Sequence, residues 1–414
     1  MIDLIMSTPE RRTRVQAGTR PCPACTGREL IPIHSHRFAK IEGVSIHAGY
    51  EVVACASCGL CFADGIPEQS TFDRYYREAS KYEGGGSGGS LPESTLQRFR
   101  EEAADIVRHA PAKDASILEI GCATGALLAM LKEQGYSRLS GLDPSPSCAV
   151  TARELHGLHV DTGDLSAGLA GKHGMIVMIA VLEHIRDLTG ALRTLAASLE
   201  DGGVLFVEVP DAMRFERAFD APFQEFSVEH INYFSCASLS ALLERNGFRA
   251  LEVVQRDRAE SNGKVAPVIA GAFRKLAPSE AASAKTPATH DDAPTRDAIA
   301  RYVALSERRD RVLRDFLRAQ LPSHDRVIVW GCGTLTLRMV ANGELPAARV
   351  AAFVDGNRRY WGRTIEGVTI LEPEAVRGRS ETILVSSVGQ GPAIEAGIRA
   401  KLAYQKPILT YPVA

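Results

Sequence analysis

Thirteen consecutive residues carry most of the information about the fold: Ser116-Ile117-Leu118-Glu119-Ile120-Gly121-Cys122-Ala123-Thr124-Gly125-Ala126-Leu127-Leu128. The apolar run that ends in an acid predicts a strand, the glycines predict a tight turn, and the residues after them predict the start of a helix. Glycines let a ligand approach the backbone, and the first turn of a helix has N–H groups available for it. A second predicted strand ends at Asp143, about 20 residues further on, where an acid accepts both hydroxyls of a ribose. The sequence therefore predicts a site for a cofactor that carries a nucleoside.

The glycine spacing separates this site from a dinucleotide site, which has the pattern Gly-x-Gly-x-x-Gly. Here the pattern is Glu119-x-Gly121-x-x-x-Gly125 with Asp143 after the next strand, and it resembles the S-adenosylmethionine (SAM) signature of class I methyltransferases. The alternative is an ordinary strand–turn–helix without a ligand. The resemblance implies SAM as cofactor and these cofactor-binding residues: Glu119, Gly121, Cys122, Gly125, Asp143, Pro144, Asp164, Leu165 and Ala180. Asp161 is the alternative to Asp164 as the residue that contacts the adenine amino group.

Strand and helix patterns alternate over residues 117–273, which is typical of a mostly parallel, doubly wound α/β sheet. The predicted strands are 116–120, 138–142, 158–162, 174–179, 203–209, 249–255 and 265–273. The last two are predicted as an antiparallel pair, so the seven strands have the arrangement of a class I methyltransferase. The predicted domains are a zinc-binding module over residues 1–75, a SAM-binding domain over 76–275, a linker over 276–298 and a Rossmann-like α/β domain over 299–414.

Two Cys-x-x-Cys pairs, Cys22/Cys25 and Cys55/Cys58, are separated by a segment with strand character. Each pair can place two thiolates on one metal ion, and two pairs complete an all-thiolate tetrahedral site. Because so short a segment has a small core, a zinc ion would contribute folding free energy directly. Four protein ligands leave no position for a substrate, so the pattern predicts a structural zinc site. The alternative is four unrelated reduced thiols, and Cys61 beside the second pair competes as a ligand.

Composition and charge narrow the class of protein. The chain has 414 residues, with 48 lysines and arginines against 50 aspartates and glutamates, and a net charge of −2. This length predicts two or three domains, and the balanced charge does not favour a nucleic acid as the main partner. The sequence has no apolar run that would span a membrane and no secretory signal, so we expect a cytoplasmic protein. Nine cysteines in such a protein do not indicate a disulfide framework. The sequence does not predict the oligomeric state.

A loop after the predicted fifth strand contains the candidates for catalysis. It reads Phe223-Gln224-Glu225-Phe226-Ser227-Val228-Glu229-His230-Ile231-Asn232-Tyr233-Phe234-Ser235, and it is expected at the edge where open α/β sheets bind their ligands. Histidine titrates near neutral pH, so His230 beside Glu229 is suited to remove a proton from a substrate. The alternative is a histidine that only anchors the loop. Glu183 and His184, at the exit of the fourth strand, are interpreted as packing and capping residues.

The order of these parts along the chain, from four-cysteine module to SAM domain, Glu-His loop and C-terminal α/β domain, resembles the sugar C-methyltransferase family. Members of that family act on nucleotide-linked 4-keto-deoxysugars. The resemblance implies a small-molecule acceptor of this kind, His230 as general base beside Glu229, and a hydroxyl of Tyr82 or Tyr233 that stabilises the enolate. The sequence departs from the family where Ser227-Val228 replaces Tyr-His and where Arg98-Phe99 replaces His-Phe.

These departures leave other functions open. One alternative is an O- or N-methyltransferase of another biosynthetic intermediate. A second is an RNA base methyltransferase, because some of these carry a four-cysteine module before the SAM domain. A third is a non-catalytic relative that binds SAM or a sugar nucleotide. In the C-terminal part, the turn Gly331-Cys332-Gly333 lacks the third glycine of a dinucleotide site, so this domain is expected to hold substrate and not a cofactor.

Overall fold

The computed structural model describes residues 15–79, 91–218, 220–260, 264–283 and 292–412. Its N-terminal part consists of β1 (Gln16–Ala17), β2 (Glu29–Arg37), β3 (Gly49–Cys55), β4 (Cys61–Asp64) and α1 (Gln69–Ala79). The four strands pair in sequence order and all pairs are antiparallel. Antiparallel neighbours need only short connections, and the two Cys-x-x-Cys pairs lie in the connections beside these strands.

The central part contains the longest sheet of the described chain. Its elements are α2 (Glu93–Val107), β5 (Ser116–Ile120), α3 (Ala126–Glu133), β6 (Arg138–Asp143), α4 (Pro146–His156), β7 (His159–Thr162), β8 (His173–Ile179), α5 (Leu188–Ser198), β9 (Leu199–Pro210), β10 (Asn232–Tyr233), α6 (Cys236–Arg245), β11 (Phe248–Ala259) and β12 (Val265–Lys275). Seven strands form a sheet in the order β7-β6-β5-β8-β9-β12-β11. β12 runs antiparallel to the other six strands of this sheet. Renumbered within the sheet, the order is 3-2-1-4-5-7-6, which confirms the predicted α/β fold of a class I methyltransferase.

The middle of this sheet is buried on both faces. Residues 175–178 of β8 are at most 1% exposed, because helices cover both sides of a parallel sheet, and the strand is therefore an uninterrupted apolar run. The carboxyl ends of β5, β6 and β8 meet at one edge, since these strands are parallel neighbours. Gly121, Asp143 and Ala180, each of which follows or ends one of these strands, are brought together there.

The C-terminal part forms a second α/β unit. Its elements are α7 (Pro278–Ser283), α8 (Ala293–Gln320), β13 (Val327–Trp330), α9 (Thr334–Ala341), β14 (Val350–Val354), β15 (Thr364–Ile365), β16 (Val368–Leu371), β17 (Thr382–Val385), α10 (Gly391–Leu402) and β18 (Ile408–Thr410). The six strands have the order β15-β16-β14-β13-β17-β18. All pairs are parallel except β15 with β16.

Secondary structure crosses two of the predicted domain boundaries. α1 runs through the expected boundary at residue 75. β10, from the loop after β9, pairs with β4 and extends the N-terminal sheet to five strands. The expected linker over residues 276–298 contains α7 and the start of α8. The composition of this segment did not predict α7, in which Glu280 accepts a 2.8 Å hydrogen bond from the guanidinium of Arg274 in β12. Residues 284–291 lie outside the described residues.

Among the described residues, no helix is both long and apolar enough to cross a membrane.

Candidate active site

A cavity of about 780 Å³ opens at the carboxyl edge of the central sheet. It lies beside the ends of β5, β6 and β8, and α1 and α2 form its opposite wall. Six of the predicted cofactor residues line it, namely Gly121, Asp143, Pro144, Asp164, Leu165 and Ala180. The other three, Glu119, Cys122 and Gly125, are not among the lining residues.

The glycine turn is required by local geometry. Gly121 has φ +72°, in the left-handed region that favours glycine. A Cβ built on Gly121 would lie 2.5 Å from Val181 Cγ2. Gly125, with φ +77°, precedes α3, and its Cβ would lie 3.1 Å from Leu158 Cδ1. Gly121 therefore keeps the cavity wall open, whereas Gly125 allows helix and strand to pack closely.

Asp143 lines the cavity with a carboxylate that is held by backbone. Ala123 N–H donates to Asp143 Oδ2 and Ser145 N–H donates to Asp143 Oδ1, each over 2.9 Å. An ionised carboxylate has about four lone-pair positions, so it can also accept the hydroxyls of a ribose. This arrangement fits a nucleoside at the end of β6.

The two candidates for the adenine contact lie in different surroundings. Asp164 lines the cavity and accepts a 2.8 Å hydrogen bond from the backbone N–H of Ser166. The Asp161 carboxylate is 3.1 Å from His159 Nε2, and its side chain is 63% exposed. Of the two, only Asp164 is among the residues that line the cavity, which favours it as the adenine contact.

A second cavity of about 390 Å³ adjoins the first, and Arg98, Ala180, His184 and Glu260 line both. We call it the acceptor cavity. It is lined by β9, β12 and the 220–230 loop, and Gln390 of the C-terminal unit also reaches it. Its ionisable residues are Arg98, Glu183, His184, Glu208, Asp220, Glu225, His230, Glu260 and Lys264. A molecule in the acceptor cavity therefore lies beside a cofactor in the larger cavity.

Glu183, His184 and His230 form a cluster where the two cavities meet. Their ligand atoms all lie within 4.8 Å of one another, and the two histidine rings are 4.9 Å apart between centroids. Glu183 is 1% exposed, and no hydrogen-bond partner of its carboxyl oxygens is found among the described residues. Burial raises the pKa of Glu183 to about 8. We call these three residues the junction cluster.

The hydrogen bonds of His184 define its tautomer. Its Nδ1 is 3.0 Å from the backbone carbonyl oxygen of Glu229 and 3.0 Å from Tyr76 Oη. Since a carbonyl oxygen can only accept, Nδ1 carries the hydrogen and Nε2 carries the lone pair. His184 Nε2 is 3.9 Å from Glu183 Oε1. The lone pair of His184 therefore lies on Nε2, the ring nitrogen near Glu183 in the junction cluster.

The predicted catalytic residues are not all brought to the acceptor cavity. His230 lines it. The Glu229 carboxylate instead accepts a 2.8 Å hydrogen bond from Tyr75 Oη and is buried. Tyr233 is 1% exposed, and its hydroxyl donates to the His230 carbonyl oxygen over 3.1 Å. Neither Glu229 nor Tyr233 is a lining residue of the two cavities described, so their contacts support the loop. Tyr82 lies outside the described residues.

Glu183 and His184, predicted as packing and capping residues, are buried in the short turn after β8, and both also line the acceptor cavity. Their position directly after the buried strand β8 was the available signal, because ligands bind at the carboxyl ends of parallel strands. Nothing in the local sequence of α1 indicates that Tyr76 contacts His184.

The four cysteines of the Cys-x-x-Cys pairs converge as predicted. Cys22 Sγ is 3.6 Å from Cys58 Sγ, and Cys25 Sγ is 3.5 Å from Cys55 Sγ. All four sulfur atoms lie within 4.8 Å of one another. Zn–S bonds of about 2.3 Å in a tetrahedron separate sulfurs by roughly 3.8 Å, so the group is compatible with zinc. Cys61 is not a member of it, and its thiol lies 3.5 Å from the Gly59 carbonyl oxygen.

The strand order, the glycine turn and the carboxylate at the end of β6 define a class I SAM-dependent methyltransferase domain. Residues 94–253 correspondingly match the protein family described as "Methyltransferase domain". The segment includes α2 and the parallel strands of the sheet. The chain therefore carries a methyltransferase domain over these residues.

Two relatives extend the comparison. C-methyltransferase NovU of Streptomyces niveus is 27% identical over 216 residues, which are 50% of this chain and 48% of NovU. A ubiquinone biosynthesis O-methyltransferase of Methylocella silvestris is 32% identical over 119 residues, 27% of this chain and 46% of that protein. The chain thus spans about half the length of the curated relatives it matches.

Solved structures were also compared. Magnesium protoporphyrin IX methyltransferase (ChlM) of Synechocystis PCC 6803 with bound SAM is 17% identical, with a TM-score of 0.36 over 51% of this chain and 99% of that chain. A SAM-dependent methyltransferase of Mesorhizobium loti is 16% identical, with a TM-score of 0.36 over 43% of this chain and 100% of that chain. Scores this low support no further argument about the chain.

Proposed function

We propose that the protein methylates a carbon atom next to a ketone in a small acceptor, and that the acceptor is a nucleotide-linked keto-deoxysugar. The observation that carries this proposal is the position of His230 in the acceptor cavity, beside the cofactor cavity. When bound, SAM supplies a methyl group on a positively charged sulfonium, which an electron-rich carbon can attack. The likeness to C-methyltransferase NovU supports carbon as the methylated atom.

In this proposal His230 removes the proton from the carbon that is to be methylated. Imidazole is the side chain most often used as a general base in enzymes. The imidazolium that forms faces Glu183, whose carboxyl group belongs to the same cluster. Tyr233 holds the backbone of His230 through the hydrogen bond to its carbonyl oxygen. The base is thus kept in place by the loop.

The negative charge that develops on the ketone oxygen needs a positive partner. Arg98 lines both cavities, and its guanidinium is anchored by Glu102 over 2.7 Å. An anchored cation at the site of developing charge stabilises it without reorganisation. We assign this role to Arg98, which stands where the resembled family has a histidine. The role predicted for a hydroxyl of Tyr82 or Tyr233 at that oxygen stays a prediction, and Tyr82 lies outside the described residues.

The four-cysteine group is proposed as a structural zinc site. Cys22, Cys25, Cys55 and Cys58 supply four thiolates at suitable separations. The site joins the turn after β1 to the connection between β3 and β4. Zinc would therefore stabilise the sheet that β10 completes, next to the catalytic loop.

A second candidate function is O-methylation of a hydroxyl group. The junction cluster offers one carboxylate and two imidazoles within 4.8 Å, and this set can hold a divalent cation. A cation there would lower the pKa of an acceptor hydroxyl, and His230 would then be a ligand and not a base. The match to the ubiquinone biosynthesis O-methyltransferase supports this candidate.

Product mass and the site of methylation decide between the two. We would incubate the protein with SAM and a panel of nucleotide-linked 4-keto-deoxysugars, and locate the added methyl by NMR. The proposal predicts one methyl on the carbon beside the ketone. His230→Ala is expected to lower the rate by about 10²–10⁴, the usual contribution of a general base. His159→Ala, at an exposed histidine, is the matched control and is expected to leave the rate unchanged.

Proton removal is measured separately by exchange of the substrate C–H for deuterium in D₂O with S-adenosylhomocysteine present. Exchange that depends on His230 supports the base. Methylation of an oxygen that stops when EDTA is added would refute C-methylation and support the second candidate.

A further inference from the structure

A third cavity, of about 260 Å³, lies where the three parts of the chain meet. β2 contributes residues 34–37, and α8 contributes residues between 307 and 314. Arg338 of α9 and Asn342, directly after that helix, also line the cavity. Phe223, from the loop that also lines the acceptor cavity, completes the wall. The proposed function assigns no role to this cavity.

Its charge is predominantly positive. Four arginines line it against two acids, and these residues are Arg37, Arg311, Arg314, Arg338, Glu307 and Asp310. Arg338 is 3% exposed and pairs with Asp310. Arg314 pairs with Asp310 and with Glu344, so Arg37, Arg311 and Glu307 are the lining charges outside these pairs. Arg37 and Arg311 are exposed at the rim, with no ion pair recorded for either within the described ranges. The two rim guanidiniums therefore remain available for an anion.

The floor of the cavity contains packed aromatic rings. His34 stacks on Phe223, with ring centroids 4.5 Å apart, and the Arg338 guanidinium lies 5.0 Å from the centroid of the same ring. His34 Nε2 is 3.1 Å from His36 Nδ1. Burial lowers the pKa of His34 to about 4, so these histidines are neutral at physiological pH and offer polar contacts without adding charge.

We infer that this cavity binds a phosphate-bearing anion, held by Arg37 and Arg311 at the rim and by Arg338 in the floor. Guanidinium groups bind phosphate oxygens through paired hydrogen bonds. A water molecule takes up about 30 Å³ of liquid, so the cavity can exchange several waters for a group of one or two phosphates. Its walls come from three parts of the chain, so a bound anion would also hold these parts together.

The anion can come from two sources. It can be a free ion such as pyrophosphate, or the diphosphate of a nucleotide-linked molecule. Phe223 belongs to the same loop as Gln224 and Glu225, which line the acceptor cavity, so either ligand would fix the acceptor side of the loop. The chemistry of recognition is the same for both sources.

The test is binding of inorganic pyrophosphate to the full chain by calorimetry, at constant ionic strength. We expect saturable binding with one site per chain, and at least tenfold weaker binding by Arg311→Met, because one charge-assisted contact is lost. Arg308→Met is the matched control, since Arg308 is exposed on the same helix but does not line the cavity. No binding by the wild type, or equal loss in both variants, would overturn the inference.

Competition identifies the source. If UDP displaces pyrophosphate and Arg311→Met weakens both to the same degree, the site takes the diphosphate of a nucleotide. If pyrophosphate binds without displacement by UDP, the site takes a free anion. Both results support the anion site, and neither depends on methyl transfer, so its failure can be told apart from failure of the proposed function.

Discussion

Asp143 and Ala123 are joined by a 2.9 Å hydrogen bond in which the backbone N–H of Ala123 donates to the carboxylate. The same relationship recurs in the C-terminal unit, where Cys332 N–H donates to Asp355 Oδ2 over 2.7 Å. In both units, a backbone N–H in the turn after one strand donates to an aspartate at the carboxyl end of the neighbouring parallel strand. Each carboxylate thus stabilises the turn by accepting a hydrogen bond from its backbone, and this role does not require a ligand.

Asp143→Asn is expected to weaken SAM binding at least tenfold. The amide keeps one acceptor oxygen but places an NH₂ group opposite one backbone donor, so one buried N–H loses its partner. The lost charge also removes a strong acceptor for the ribose hydroxyls. Calorimetric titration with SAM measures the change. Asp161→Asn, at an exposed carboxylate, is the control, and equal weakening by both variants would contradict the assignment.

Gly121→Ala is expected to abolish measurable SAM binding and to destabilise the fold. The new Cβ would lie 2.5 Å from Val181 Cγ2, and a residue with a Cβ pays about 1–2 kcal/mol in the left-handed region. Adding Val181→Ala removes the clash and should restore part of the thermal stability. Gly135→Ala isolates the backbone cost, because Gly135 has φ +91° with open space around its Cβ position. If Gly121→Ala and Gly135→Ala lower the melting temperature equally, steric contact with Val181 is not the cause.

Glu183 makes stability depend on pH. Burial raises its pKa from 4.5 to about 8, so the folded chain binds more protons than the unfolded chain between these two pH values. The free energy of unfolding therefore falls as the pH rises through this window. Glu183→Gln removes this loss, so the variant gains stability relative to the wild type, by up to a few kcal/mol, on going from about pH 5 to about pH 8.5.

The measurement is thermal unfolding of cofactor-free wild type and Glu183→Gln across that range. Glu133→Gln, at an exposed glutamate on α3, should follow the wild type at every pH. A difference between Glu183→Gln and the wild type that does not change with pH would show that the Glu183 carboxyl group titrates normally.

Zinc content should be one ion per chain and should depend on the paired cysteines. Cys22→Ser removes one thiolate of the group, and structural zinc contributes about 10–16 kcal/mol in small modules. We therefore expect the variant to lose zinc and to expose its N-terminal part to proteolysis. Cys61→Ala is the control, because Cys61 is buried beside the group without belonging to it. Wild-type protein that contains no zinc and resists chelators would rule out the metal.

Much of the fold could be predicted because it is encoded in short-range patterns. The apolar run of β8, the glycine turn after β5 and the acid at the end of β6 lie within segments of five to seven residues. Strand boundaries follow less directly from the pattern: β9 begins at Leu199, earlier than the predicted residue 203. The domain boundaries also differ from the predicted ones, because α1 and β10 are placed by contacts with residues that are distant in sequence.

The catalytic site was only partly predictable. His230 was singled out from the Glu-His loop, but the loop sequence could not indicate that the Glu229 carboxylate contacts Tyr75. Glu183 looked like an ordinary residue after a strand, and only its burial without a hydrogen-bond partner among the described residues marks it as unusual. Side-chain direction depends on packing, which a linear pattern does not contain.

The sequence by itself determined the sheet, the cofactor turn and the pairing of four cysteines, because periodicity, backbone freedom of glycine and ligand spacing act over a few residues. The tertiary structure decided which side chains face one another. It brought His184 and His230 together from different loops, joined β10 to the N-terminal sheet and enclosed an arginine-rich cavity between three parts of the chain. These contacts arise from the burial of apolar surface across the whole molecule, and no local segment specifies them.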